Sequence, residues 1–416
     1  MTQTITSSVT SANDVVVTQL WETLNPVFAD IAASAPQRDA AGGIDITPIQ
    51  ALRAAGFTRL RVPAEYGGHG LSLPQAYEFF VALAAADSNL AQALRSHWGF
   101  VEDLLSRPAD QAAFTERWLT RIGTGLVVGN AITERGNTHG QNATRLSRRD
   151  GQWILNGTKF YSTGTGYADA ILVATTGDDD EPASLIIAAD APGVEIVDDW
   201  DGFGQRLTAS GTTHFRDVVV DEADIFPPGH GIDSGDRTAF GQAAWQAVHL
   251  ATLVGIAKAV LRDGVGYVQS RTRTFSHGAA DTVQQDPQVL QLLGELSAKV
   301  AGIETIFRAI PPVLAEHFAA DARGEELPEA EVDALYAQVY QAQQVIAPVV
   351  LEVATKIFEV GGASATSQTR ALDRHWRNAR VLASHNPLIY RARILGDYVV
   401  NGVSPERKYT VGQAAS

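Results

Sequence analysis

The sequence contains no cysteine, which removes disulfides, cysteine-ligated zinc and thiol nucleophiles and leaves the chain indifferent to redox compartment. Its ten histidines are scattered, with no His-x-x-x-His or comparable pair, so a metal centre is not expected. Basic residues are in deficit. The formal net charge is -15, which argues against a nucleic-acid surface or an anionic membrane as partner, because both need clustered Lys and Arg. No apolar run approaches membrane-spanning length, and the Ser/Thr-rich stretch from Met1 to Thr10 lacks a basic-then-apolar leader. Together these absences describe a cytoplasmic protein with a frayed start. A nucleotide-binding crossover is missing too: Gly67-Gly68-His69-Gly70 and Gly164-Thr165-Gly166 do not lie between a strand and a helix, so a Rossmann site is a poor reading.

What is present is an ordinary folded composition, 45% hydrophobic and 19% charged over 416 residues, enough for two or three domains. Helical spacing joins Val16, Leu20, Leu24, Val27, Phe28 and Ile31, and Thr47-Pro48 with Gly56 brackets a short helix. Further helices are expected from Pro74 to Ala86, Leu90 to Leu105 and Phe114 to Ile122. From about Leu126 to Val220 the pattern becomes strand-like. Asp150-Gly151 and Asn156-Gly157 bracket one strand, and Ile171 to Ala174, Leu185 to Ala188 and Val218 to Val220 supply others, read as short antiparallel strands. The helical period then returns, with stripes at Leu293, Leu296, Val300, Ile303 and Phe307 and at Val332, Leu335, Val339, Ile346, Val350, Val353 and Ile357, the second carrying Pro348 as a kink. An α+β chain is expected: a helical domain (1–123), an antiparallel β-domain (124–235) and a four-helix-type bundle (236–416).

Several motifs in order sharpen this outline. Pro63-Ala64-Glu65-Tyr66-Gly67-Gly68-His69-Gly70-Leu71-Ser72, Ala131-Ile132-Thr133-Glu134-Arg135-Gly136 and Leu155-Asn156-Gly157-Thr158-Lys159 with Tyr161-Ser162-Thr163 resemble segments of the acyl-CoA dehydrogenase superfamily, with Arg135 where that family has proline. The pieces Asp199-Trp200 before Gly202-Phe203-Gly204, Asp373 to Arg380, and Ser384-His385-Asn386-Pro387 are similar to its flavin-dependent monooxygenase branch. The resemblance covers nearly the whole chain.

Dehydrogenation requires a carboxylate base beside the carbon that loses its proton. The family supplies it at one of two places. Here the first reads Ser384-His385-Asn386-Pro387, with no acid between Asp373 and Asp397, and the second, Gln242 to Val260, has no Asp or Glu. His385 as the base in another guise stays as an alternative.

The resemblance implies a monooxygenase that uses reduced flavin and O2 through a C4a-hydroperoxide, a chemistry that needs neutral hydrogen-bond partners and a dry wall. It implies catalytic roles for His385, Asn130, Thr163 and His97, the last lining a substrate cavity with Trp98 and Phe100. It implies flavin contacts from Asn130, Thr133, Tyr161, Ser162, Thr163, Trp200, Ser384, His385 and Asn386. Each has a plainer competitor: an interior His97, a strand hydroxyl at Thr163, backbone satisfaction by Asn130, a capping His385, a core-filling Trp200. Arg271, Arg273, Arg374 and Arg377 are candidates for the flavin phosphate, with ordinary salt bridges as the alternative. The adenine-holding loop survives only as Val360-Gly361-Gly362-Ala363, which favours FMN with FAD still open. A separate flavin reductase, a small apolar substrate, aromatic or organosulfur, and a homotetramer complete the expectation. An acyl-CoA dehydrogenase or oxidase with an unrecognised base, and an idle flavin-binding or assembly protein, remain as other readings.

Overall fold

A computed structural model describes residues 12–135, 142–227, 231 and 240–407. The N-terminal part is built from α1 (Ala12–Ala41), α2 (Thr47–Ala54), α3 (Leu73–Ala86), α4 (Ser88–Ala93), α5 (Arg95–Leu105) and α6 (Ala112–Gly123). The sheet follows as β1 (Val128–Ala131), β2 (Arg145–Arg149), β3 (Gln152–Lys159), β4 (Ala170–Thr176), β5 (Pro182–Ala188), β6 (Val194–Val197) and β7 (Thr212–Val220). The chain returns to helix in α7 (Gly241–Ser270), α8 (Pro287–Arg308), α9 (Ile310–Ala322), α10 (Glu329–Lys356), α11 (Asp373–Ser384) and α12 (Leu388–Asn401). The expected boundary at 235/236 lies outside the described residues; Gly136, the last residue of the second motif, does so as well.

Local chemistry accounts for many of these ends. Ser72 and Gln75 form a reciprocal capping box that starts α3. Asp286 caps α8, accepting from the N–H groups of Gln288 and Val289. Leu90 to Leu105, expected as one helix, is two: α4 stops at Ala93 and α5 restarts at Arg95.

The sheet is mixed, which corrects the expectation of antiparallel strands. Its order is β1-β4-β2-β3-β7-β6, with β5 paired to β4. β1 runs parallel to β4, from Val128 opposite Ala170 to Ala131 opposite Val173. Every residue of β4 is buried, as befits a strand with neighbours on both edges and cover on both faces. Alternation reads burial and cannot read strand direction. Asp150-Gly151 is a hairpin turn, with both residues at positive φ. Asn156-Gly157 instead lies inside β3 at a register shift, where the Asn156 amide pairs with Asp217 of β7 through both of its ends.

The main core packs α3 against α7 and α7 against α8 and α10. Gly255 of α7 lies directly on Ala84 of α3, leaving no room for a Cβ. α7 is long and apolar enough by composition to cross a membrane, contrary to the sequence reading, yet 78% of that window is buried inside the protein: it is a core helix.

Two recognition motifs meet in one buried ion pair. The Lys159 ammonium, fully buried, lies 2.8 Å from Glu134 and donates to the Ile132 carbonyl and the Asn142 side chain. Burial would raise the Glu134 carboxyl, but Lys159, the Thr144 hydroxyl and the N–H groups of Ala143 and Thr144 outweigh it and hold the group down to about 2. Gly157 lets β3 pass close over Thr144, where a side chain would collide. Glu134→Gln leaves the ammonium buried without its counter-charge, and should lower unfolding free energy at pH 7 by about 3 kcal/mol. Because the folded-state value is depressed, that loss is complete above the unfolded value near 4.5 and should vanish as the pH falls towards 2, a trend chemical denaturation at stepped pH can follow.

Candidate active site

The three parts of the chain converge on the short break between α4 and α5. Gly164, at φ 81°, presses its α-carbon against the Ala93 carbonyl and leaves no space for a Cβ; Gly129 of β1 lies equally close to the backbone of Thr165. His97 fastens the same region. Its Nδ1 accepts from the Val128 N–H at 3.3 Å, so its Nε2 carries the proton and donates to the Thr58 carbonyl at 2.6 Å. Burial holds the ring below its usual range, at about 4. With both nitrogens engaged by backbone, His97 orients β1 against α5 and offers no ring nitrogen to a substrate.

On the sheet side, the Asn130 N–H donates to the Thr163 carbonyl at 3.2 Å, and the Thr163 hydroxyl bonds Ser210, which bonds Thr208. Asn130 Oδ1 is buried with no protein partner, although the residue as a whole is only half-buried. Ser162 is fully buried and its hydroxyl is also without a protein partner, away from any open surface. Thr133 pairs with Phe160 across an isolated bridge. Tyr161, 48% exposed, stands edge-on to Trp200, and Trp200 donates to the Gly204 carbonyl. Asp199 clamps Thr212 through backbone and hydroxyl, fixing the loop that carries Trp200.

On the bundle side, His385 ends α11 and lies 4.3 Å, ring centre to ring centre, from His249 of α7. His385 is exposed by area, with protein packed against one side of its ring. Desolvation and the charge of Arg95 push both imidazoles well below the ordinary histidine range. Both are neutral at physiological pH. Arg95, the first residue of α5, thus joins the histidine pair to the break that holds Thr163 and Asn130. Asn386 is buried and donates to Gln246 of α7, whereas Ser384 is exposed and occupied with Arg380 and its carbonyl.

A recess of about 460 Å³, counting its open mouth, is lined by Tyr77, Trp98, Trp245, Val248 and Phe318; neither His249 nor His385 lines it, and Arg95 reaches it by lying over the Trp245 ring at 4.7 Å. Trp98, expected to line a substrate cavity, lines this recess. Phe100 and His97 are not among its lining residues; Phe100 packs with Trp118 and Phe226 instead. Two carboxylates border the recess, and both are engaged: Glu102 takes a two-pronged contact from Arg61 at 2.6 and 2.9 Å, and Asp103 takes one from Arg107.

The arginine candidates separate. Arg374 is buried against Asp263 at 2.6 Å, and Arg377 binds Asp39 and Asp373, so both are spent on internal pairs. Arg271 and Arg273 lie beyond the end of α7, about 22 positions from His249 and roughly 30 Å along the helix. Arg271 covers Tyr267 and Phe275 there, close to Gly361 and Gly362. One chain does not bring them to the histidine pair.

Models of the N-terminal, middle and C-terminal domains of acyl-CoA dehydrogenase match residues 22–125, 130–218 and 247–388. Dibenzothiophene monooxygenase of Mycolicibacterium goodii is 30% identical over 389 residues, 90% of this chain and 92% of that protein. The chain belongs to the acyl-CoA dehydrogenase family. Its likeness within that family is to the flavin-dependent monooxygenase branch. The corresponding enzyme of Rhodococcus qingshengii is 29% identical over 397 residues, 91% of this chain and 92% of that one. FMN-bound TdsC from Paenibacillus sp. A11-2 superposes with a TM-score of 0.84 at 26% identity, over 94% of this chain and 99% of that one.

Three residues of this acyl-CoA dehydrogenase-family chain escaped the sequence reading: His249, Gln246 and Ser210. His249 is a lone imidazole in the apolar stretch of α7, and only its distance from His385 in the fold distinguishes it from a core filler. His97, His249 and His375 are all buried, and each is held below the usual histidine range, His375 at about 4 by burial and Arg374. Between pH 6.5 and 5 the unfolded chain takes up protons that these rings refuse, so stability should rise with pH there, by up to about 4 kcal/mol per unit for three rings. His97→Gln keeps one donor and one acceptor and should flatten the slope by about one proton, readable in denaturation midpoints across that window.

Proposed function

We propose that the protein is a two-component flavin-dependent monooxygenase, taking reduced FMN from a separate reductase and using O2 to oxygenate a small apolar substrate, aromatic or organosulfur. The observation that carries this reading is the neutral histidine pair His385–His249, which stands where the dehydrogenases of this family need a carboxylate. A neutral imidazole can accept or donate one hydrogen bond without removing a carbon-bound proton, and the two carboxylates bordering the recess are bound by Arg61 and Arg107. The names of the relatives support the same class: dibenzothiophene monooxygenases, and a probable FMNH2-dependent monooxygenase of Pseudomonas putida at 28% identity.

The residues present fit a flavin. Asn130 Oδ1 is a buried acceptor without a protein partner, the Thr163 hydroxyl is held in place by Ser210, and Trp200 with Tyr161 supplies an aromatic wall. Bound there, reduced flavin would supply the electron pair with which one atom of O2 enters the substrate and the other leaves as water. Asn130 and Thr163 would hold the ring edge by hydrogen bonds. His385 would supply a neutral partner at the reacting oxygen, and Trp98, Trp245 and Phe318 would exclude water and receive the substrate's apolar body. Arg271 and Arg273 would then serve the flavin of a neighbouring subunit in a homo-oligomer, since their own chain keeps them far from its cleft.

Rapid mixing of protein loaded with reduced FMN against oxygenated buffer tests the reading. A long-lived absorbance distinct from oxidised flavin, followed by oxygenated product when an aromatic sulfide is present, is expected. Immediate return to oxidised flavin, together with bleaching of oxidised flavin by an acyl-CoA panel, would instead establish a dehydrogenase. His385→Ala should cut product formation on the order of 10²-fold while O2 consumption continues as peroxide release; full coupling in that variant would count against the assignment.

A further inference from the structure

Arg135 stands where the family's motif has proline, and the proposed chemistry does not use it. Its position is set by the chain just before it. The Asn130 N–H donates to the Thr163 carbonyl at 3.2 Å and the Phe160 N–H donates to the Thr133 carbonyl at 2.8 Å, so residues 130–133 run against 160–163. Glu134, next in line, is held by Lys159 and by the Thr144 hydroxyl. The chain thus delivers Arg135 to the end of the run that carries Asn130 and Thr133, roughly 16 Å of extended backbone beyond Asn130.

There the guanidinium lies 4.5 Å from the centre of the Phe160 ring and 5.7 Å from that of Tyr161. Tyr161 takes the left-handed backbone conformation at φ 55°, rare for an aromatic residue, which leaves its ring half-exposed and in contact with both Arg135 and Trp200. Arg135 therefore extends the aromatic wall to which the flavin ring was assigned. Among the described residues, no hydrogen bond holds its guanidinium and no carboxylate lies within ion-pair distance of it. Asp199 feels its charge from farther off, with both carboxylate oxygens already accepting from Thr212. Arg374 and Arg377, by contrast, are spent on Asp263, Asp39 and Asp373.

We propose that Arg135 is a cofactor-binding residue whose guanidinium takes the phosphate of FMN within its own chain. The proposal rests on the flavin reading of the cleft. A planar guanidinium offers paired N–H groups in a fork that matches two phosphate oxygens, and stacking on Phe160 and Tyr161 leaves the in-plane N–H groups clear of the rings. The same stacking restricts the side chain before the ligand arrives, which lowers the entropy lost on binding. Ring contacts at Asn130 and Thr163, with a cation at the far end of the run, suit a ligand made of a flat ring and an anionic arm. Proline at this position supplies neither charge nor donor, so the contact is absent wherever the motif keeps its proline.

Calorimetric titration of the full-length protein with anaerobically photoreduced FMN, and separately with reduced riboflavin, which lacks the phosphate, tests the proposal. The unaltered protein should bind FMN more tightly than riboflavin, by a margin that shrinks in about 0.5 M salt. Arg135→Gln, which keeps a polar side chain and removes the charge, should weaken FMN by about tenfold or more and leave riboflavin unchanged. Arg135→Lys keeps the charge without the fork and should fall between the two. Riboflavin binding also reports that each variant is folded. Unchanged FMN affinity in Arg135→Gln overturns the proposal, and so does an equal weakening of both flavins, which would make Arg135 a brace for Tyr161. Failure of the unaltered protein to bind either flavin would defeat this proposal and the flavin reading together. The expected binding pattern without any oxygenated product would defeat the monooxygenase reading alone.

Discussion

Three regions of the chain are tied together at a buried polar knot around Ser88. The Ser88 hydroxyl accepts from Asn378 of α11 and from the Gln205 side chain, while the Gln205 N–H donates to the Asn378 oxygen. Asn89 accepts from the Leu207 N–H, and Arg377 reaches across to Asp39 of α1. Apolar packing alone would hold α3 to α7, but it has no direction. Hydrogen bonds with defined ends fix how the sheet's loop sits against the bundle, and hence how Phe203 meets Trp376 and Arg377 of α11. Gly204 contributes by letting that loop lie on the backbone of Arg377 and Asn378.

The floor of the cleft is electrically quiet by construction. Acidic residues outnumber basic ones in the chain, yet those nearest the recess are neutralised by specific arginines, and the imidazoles are kept uncharged by burial and by Arg95. A site of this kind is poor at abstracting protons and good at holding a polar, uncharged reacting group away from water. On the proposed reading that contrast would separate oxygen transfer from dehydrogenation on a shared scaffold, and it would reside in a few side chains rather than in the fold.

The outline of the fold was legible because helices and strands announce themselves locally. The stripe from Leu296 to Phe307, the capping residues Ser72 and Gln75 and the Asp150-Gly151 turn each act within a few positions of themselves. The site was legible only in part. Thr163 and His385 could be named as candidates because they stand in quoted motifs, and Asn130 because it adjoins one, but the partners of His97, Arg374 and Arg377 could not be read. Each of these is claimed by a partner far away in the chain: His97 by Thr58 and Val128, Arg374 by Asp263, Arg377 by Asp39. An arginine beside a motif looks the same whether it faces a phosphate or a buried carboxylate.

By itself the sequence determined the kinds of elements and their order, the family, and the absence of any Asp or Glu from 242–260 and 374–396, since all of these follow from local periodicity or from residues present or absent at a motif. The tertiary structure alone decided that β1 runs parallel to β4, that Asn156-Gly157 is a bulge rather than a turn, and that His249 lies against His385. Strand direction, register and side-chain partnership depend on contacts between segments tens to hundreds of positions apart, and no periodicity within one segment encodes its distant neighbour.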